Sequence, residues 1–222
     1  SLKLSPASPG PPARPYMDAI RALADENGAD AVSDHLGFTR DGAGGVELMH
    51  FAPPPFTPAA LDATCRNLDL IQRHFRGRPF FLENIAALFH FRGTMSEADF
   101  LARVLGRTGC GWLLDVTNLY ANARNHGYDA FAFLRQVMPT ARRLQIHLSG
   151  GYFDAERNLY IDSHSHPVPD DVWDLYREAL VLGRRKVDAV FIERDQDFPD
   201  EAGWRAEVRQ ARAIADAVEA EP

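Results

Sequence analysis

The chain has 222 residues, 45% of them hydrophobic and 25% charged, with a formal net charge of −7. These proportions are those of a globular protein and exclude a disordered chain, a collagen-like repeat and a disulfide scaffold. No apolar run reaches the roughly 18 residues of a membrane span, and the acidic balance argues against a protein that grips nucleic acid by its phosphates. Cys65 and Cys110 are the only cysteines; two cannot form a framework, so a reducing, cytoplasmic compartment is expected. The opening Ser1-Leu2-Lys3-Leu4-Ser5 has no apolar h-region of a secretory signal. It also lacks an initiator Met, so the native start is expected upstream.

In chain order, a short strand is predicted at Leu2–Ser5, then a turn-rich loop punctuated by Pro6, Pro9, Pro11, Pro12 and Pro15. A helix over Tyr16–Asn27 stops at Gly28, a buried strand occupies Ala29–Leu36, and Gly37–Pro55 reads as a long loop. Thr57-Pro58 opens a helix whose Leu61, Cys65, Leu68, Ile71 and Phe75 recur every three or four residues, as one buried face requires. Strands follow at Pro79–Glu83, Gly111–Val116, Arg143–Leu148 and Ala189–Glu193, separated by helical segments. Apolar runs without polar alternation fit strands buried on both faces of a parallel sheet. Strand–helix alternation throughout means an α/β fold in one domain spanning residues 1–222. Six strands are counted where a closed TIM-type (β/α)₈ barrel needs eight, so the expectation is such a barrel lacking its first two strand–helix units, about 60 residues.

The polar residues decide between a barrel and an open sheet. Each strong strand ends in an acid or an imidazole: His35, Glu83, Asp115, His147 and Glu193, with Asp162 and His164 in the loop between the last two. Parallel strands in a barrel present their C-terminal ends to one mouth, where active sites are built. An isolated His or Asp is more often a cap or a surface ion pair. Several carboxylates crowded together repel one another, and a metal ion removes that repulsion. Histidine with carboxylate suits Zn, Fe or Mn. The ligands outnumber what one ion takes, so a multinuclear centre is expected, with Glu83 or Asp162 bridging.

The strings Val32-Ser33-Asp34-His35-Leu36, Leu82-Glu83-Asn84, Leu114-Asp115-Val116-Thr117-Asn118-Leu119-Tyr120, Asn125-His126-Gly127, Ile146-His147-Leu148-Ser149-Gly150, Ile161-Asp162-Ser163-His164-Ser165-His166-Pro167-Val168 and Ile192-Glu193-Arg194-Asp195 resemble the DUF692 family. These are multinuclear non-haem iron-dependent oxidative enzymes of the methanobactin synthase type. The resemblance runs from Ser1 to about Ala217. It implies a barrel holding two or three irons that use O₂ to modify a residue, often cysteine, in a ribosomally made precursor peptide, with help from a small leader-binding partner protein. By the same resemblance His35, Glu83, Asp115, His147 and Glu193 ligate a pair of irons, while Asn118, Asp162 and His164 hold a third. Two departures stand out: the family's upstream His-Gly motif is not in this chain, and Ser165 occupies a position where Asp is common.

Around this set, Glu83, His126 and Asp195 are the candidate catalytic groups, with His166 and Asp195 expected to orient ligands. Of Glu83 and Asn84, adjacent in a strand and so facing opposite ways, Glu83 is expected to face the mouth. His50, His74 and His90 are read as solvated, and both cysteines as structural. Gly106–Gly111 runs from helix into strand, the wrong order for a phosphate cradle. The competing reading is a phosphodiesterase resembling endonuclease IV, disfavoured by Asn118 where that family has His; a non-catalytic metal-binding homologue and a sugar isomerase are weaker alternatives.

Overall fold

The computed structural model describes residues 3–40 and 47–221. Helix α1 (Arg14–Glu26) leads into β1 (Val32–His35), after which β2 (Phe38–Arg40) and β3 (Glu47–Ala52) form an antiparallel hairpin. Then come α2 (Pro58–His74), β4 (Phe80–Glu83), α3 (Glu97–Thr108), β5 (Gly111–Asp115), α4 (Val116–His126) and α5 (Ala130–Val137). The chain continues through β6 (Leu144–Leu148), a second hairpin of β7 (Tyr152–Asp154) and β8 (Leu159–Ile161), α6 (Asp170–Leu182), β9 (Val187–Ile192) and α7 (Glu201–Ala220).

Five strands form one parallel sheet in the order β1-β4-β5-β6-β9. Each lies beside the next main strand along the chain, with helices between, which is the α/β arrangement of a TIM-type barrel. Local chemistry accounts for the helix starts. Thr57 accepts from Ala60 N ahead of Pro58, Ser96 accepts from Asp99 N, and Asp200 accepts from Gly203 N. Leu82, Trp112, Leu114, Leu144 and Ile146 are fully buried between sheet and helices, packed on Leu68, Phe100, Leu101, Val172 and Tyr176. The alternate residues Phe81 and Leu113 face the other way and are also buried, so the central strands are covered on both faces.

Three expectations are corrected. The strand placed at Leu2–Ser5 does not form over its described part, Lys3–Ser5: Leu4 and Ser5 donate their amides to Asp34 Oδ2, and Ser5 takes a left-handed φ of 58°. Among the described residues the main sheet therefore has five strands and not six. The loop over Gly37–Pro55 contains the β2–β3 hairpin, its tip at 41–46 lying outside the described residues. Finally, β9 is not buried on both faces. It pairs only with β6 among the described residues, and Phe191 is 45% exposed.

Candidate metal centre

The sheet register assembles the site. His35 is paired with Glu83, and Asp115 with His147, at the C-terminal ends of adjacent strands. Glu83 stands between two imidazoles: its Oε2 lies 3.3 Å from His35 Nε2 and its Oε1 3.4 Å from His147 Nδ1. Glu193 repeats this one step along, with Oε1 3.2 Å from His147 Nδ1 and Oε2 3.5 Å from His164 Nδ1. Asp162 Oδ1 closes the chain 3.0 Å from His164 Nε2. Asp115, wholly buried, belongs to two groups of atoms close enough to hold one ion each: Glu83–Asp115–His147 and Asp115–His164–Glu193. A cavity of about 570 Å³ opens over these residues, lined also by Asn118, Phe51 and Asp195.

Several of the ligand-type side chains have a local support. Asp115 caps α4 with Oδ1 accepting from Asn118 N at 2.7 Å. Asn118 Nδ2 donates to Asn84 O at 3.0 Å. Asn84 points away from the cavity, as a strand neighbour of Glu83 must: its Oδ1 accepts from Trp112 Nε1 and Asp115 N, while its Nδ2 donates to Asp115 O. Phe51 of β3 stacks on the His35 ring at 4.5 Å and 14°. The loop carrying Asp162 and His164 passes so close to Gly150 that a Cβ there would sit 2.1 Å from the carbonyl oxygens of His166 and Pro167. Gly150 O accepts from Ser165 N and His166 N, and His164 O from Asp195 N, holding His164 at a φ of +50°. A strained backbone pinned this way is typical of a functional loop.

Glu83, Asp115, Asp162, Glu193 and Asp195 crowd a site with only three imidazoles, and the proton equilibria show the strain. Burial, followed by the charges of Asp162 and Glu83, drives the Asp115 pKa well above the ordinary carboxylate range. Burial opposes charge on His147 and His164, yet their carboxylate neighbours overcome it and hold them protonated, pushed up to about 10 and about 9. His35 is raised for the same reason, with Asp34 and Glu83 outweighing burial. In Glu193 the contacts to His147 and His164 outweigh burial and lower the pKa. The residues fit a group of cations: Asp115 Oδ2, Asn118 Oδ1, His147 Nδ1 and Asp162 Oδ1 are buried and make no hydrogen bond of good geometry among the described residues, although His147 Nδ1 and Asp162 Oδ1 lie against charged neighbours. Buried polar atoms seldom go unpaired, and these four lie together at the C-terminal ends of the strands.

His35, Glu83, Asp115, Asn118, His147, Asp162, His164 and Glu193 are thus brought together as expected. Asp195 lies at the rim, 76% exposed, with Oδ2 3.8 Å from His164 Nδ1. His126, expected among the catalytic groups, does not line the cavity; its Nε2 meets Ala87 O at 2.6 Å. His166 is exposed and meets Ser165 Oγ and the Tyr152 ring, so it orients none of these ligands. His74 and His90 are not solvated: His74 has a largely buried side chain 3.3 Å from Asp18, and His90 packs against the His126 ring. Three supporting residues escaped the sequence reading. Asp34 fastens Leu4 and Ser5, Asn122 grips the backbone of Ile85 and Ala87, and Arg194, its side chain 3% exposed, ties the end of β9 to Glu207 of α7. Of these only Asn122 left a legible signal, its four-residue spacing from Asn118 and His126.

A family model described as RiPP precursor modification enzyme MbnB/TglH/ChrH matches residues 1–216. The chain belongs to this family. Among curated relatives, a UPF0276 protein of Rhizorhabdus wittichii is 43% identical over 206 residues, which cover 92% of this chain and 70% of that protein. A UPF0276 protein of Caulobacter vibrioides strain NA1000 is 42% identical over 199 residues, covering 89% and 68%. Two solved structures share the fold: a xylose isomerase-like TIM barrel protein of Mycobacterium smegmatis in complex with magnesium and a D-psicose 3-epimerase of Clostridium cellulolyticum H10 with D-tagatose. Both reach a TM-score of 0.52, at 16% and 12% identity, covering 92% and 98% of this chain and 67% and 75% of theirs. Family membership makes this a protein of the RiPP-modification enzymes on a TIM-type α/β scaffold. Among the described residues no helix is long and apolar enough to cross a membrane.

Proposed function

We propose that this protein is a multinuclear iron enzyme of the cytoplasm that uses O₂ to oxidise a residue, a cysteine in our reading, of a ribosomally synthesised precursor peptide. A small partner protein delivers the peptide by its leader, and residues 1–222 act as one partial-barrel domain. His35, Glu83, Asp115, His147 and Glu193 hold a pair of irons, and Asn118, Asp162 and His164 a third. The observation that carries the reading is the set of buried, unpartnered donor atoms converging on one cavity.

Iron held by these residues would supply one-electron redox chemistry toward O₂ and a substrate thiolate. The chain's own residues set the terms. Glu83, with one oxygen toward His35 and the other toward His147, would hold ions on both sides of its carboxylate. The protons on His147 and His164 leave when ligands are required, so loading is coupled to proton release. Asp195, at the rim beside His164, accepts the thiol proton of an incoming substrate at its Oδ. Phe51 walls the cavity and limits access of water to His35.

The test is to incubate the iron-loaded protein with the Cys-bearing peptide encoded beside its gene, with and without O₂. A mass change of the peptide that requires both iron and O₂ is expected. Full activity with zinc alone, or cleavage of abasic DNA, would instead favour the phosphodiesterase reading.

A further inference from the structure

We propose that His126 is a positioning residue for the metal centre: through the Ala87 carbonyl it holds in place the chain segment that leaves Glu83. The inference rests on the reading of the cavity as a metal site. Residues 85–93 belong to no helix or strand, and no backbone-to-backbone hydrogen bond reaches them among the described residues. Their anchors are side chains of α4. Asn118, Asn122 and His126 recur at intervals of four, so they lie along one face of that helix. Each takes the next piece of the same strand exit. Asn118 Nδ2 donates to Asn84 O at 3.0 Å. Asn122 Nδ2 donates to Ile85 O at 2.8 Å, and its Oδ1 accepts from Ala87 N at 2.8 Å. His126 Nε2, which must carry its proton to face a carbonyl, meets Ala87 O at 2.6 Å.

His126 is the last residue of α4, where a side chain has the most freedom, yet it is held from the far side. The His90 ring packs on it at 4.0 Å with the planes tilted by 32°, Phe56 meets His90 edge-on at 5.3 Å, and Glu97 Oε2 lies 3.9 Å from His90 Nε2. The segment so gripped begins at Glu83, whose two oxygens must each meet a different partner, and it includes Ala86 in the cavity wall. A small shift in this segment therefore rotates the carboxylate placed between His35 and His147.

Cobalt(II) added to the metal-free protein provides the probe, because its absorption bands report ligand geometry without turnover. In His126→Leu the cobalt affinity falls 10- to 100-fold and the bands shift, whereas His126→Gln, whose amide reaches Ala87 O as a donor, restores both. Amide exchange of residues 84–91 is read in parallel and needs no metal. Ala87 loses protection in His126→Leu and regains it in His126→Gln. If His126→Leu does not fold, His126→Asn, too short to reach the carbonyl, takes its place in the comparison. Unchanged bands, affinity and exchange in a folded His126→Leu overturn the proposal, as does equal damage in the Leu and Gln variants. Absence of cobalt binding in the unaltered protein refutes the metal reading, and the exchange data then still decide whether His126 holds the segment.

Discussion

Asn84 shows how much of the centre depends on a side chain that never enters it. Its amide satisfies the Trp112 indole and both backbone groups of Asp115, all in the buried interior. Asn84→Ala leaves those groups unpaired, and buried polar groups without partners cost about 1–3 kcal/mol each. The variant is therefore expected to lose about 3 kcal/mol of stability or more in urea titrations. Glu97 makes a different prediction at the same scale. Burial raises its pKa to about 7 from 4.5, against the opposing hydrogen bonds from Tyr128 and Asn122. A raised acid binds its proton more tightly when folded, so no penalty exists below pH 4.5. The penalty grows as pH climbs from 4.5 and is complete above 7, where it approaches about 3 kcal/mol. Glu97→Gln is thus expected to raise the melting temperature at pH 8 and leave it nearly unchanged at pH 4.5. The same gain at both values would show that ionisation is not the cause.

At the scale of elements, one loop carries much of the site. The segment from Asp162 to Pro167 crosses the end of β6 at a distance that only glycine at 150 permits. Gly150→Ala must push that segment outward, since the obstacle is backbone. Overpacking of this kind costs about 1–3 kcal/mol. The specific consequence is that His164 and Asp162 withdraw from Glu193 and His147. Metal content is expected to drop while the circular dichroism spectrum of the helices stays intact, and unchanged metal content would contradict the contact. Capping residues such as Thr57 and Ser96, and apolar runs ending in His, Glu or Asp, marked helix starts and the ends of parallel strands correctly because both follow from local chemistry. Leu2–Ser5 was misread since its amides turn to Asp34, a partner some thirty residues away. The β2–β3 hairpin was missed because Gly- and Pro-rich flanks hid a short pairing. His126 has a residue type that suggests chemistry, but its partner is a backbone carbonyl, and no pattern of side chains announces that.

For the whole molecule, the excess of carboxylates over imidazoles at one end of the sheet is the governing fact. Burial and the charges of Asp162 and Glu83 drive Asp115 toward its neutral form, and neighbouring carboxylates hold His147 and His164 protonated, with no Lys or Arg lining the cavity among the described residues. Cations replace those protons, so binding at neutral pH is expected to release them, to tighten as pH rises, and to stabilise the folded chain. The measurement closest to the centre of this account is the iron content of the protein beside that of Glu83→Ala, with unfolding curves for both after metal removal. The account predicts two or three irons per chain, a marked loss in Glu83→Ala, and similar metal-free stability, since Glu83 lies at the cavity and outside the apolar core. A protein that binds no iron, or a Glu83→Ala variant that keeps its full complement, would contradict it.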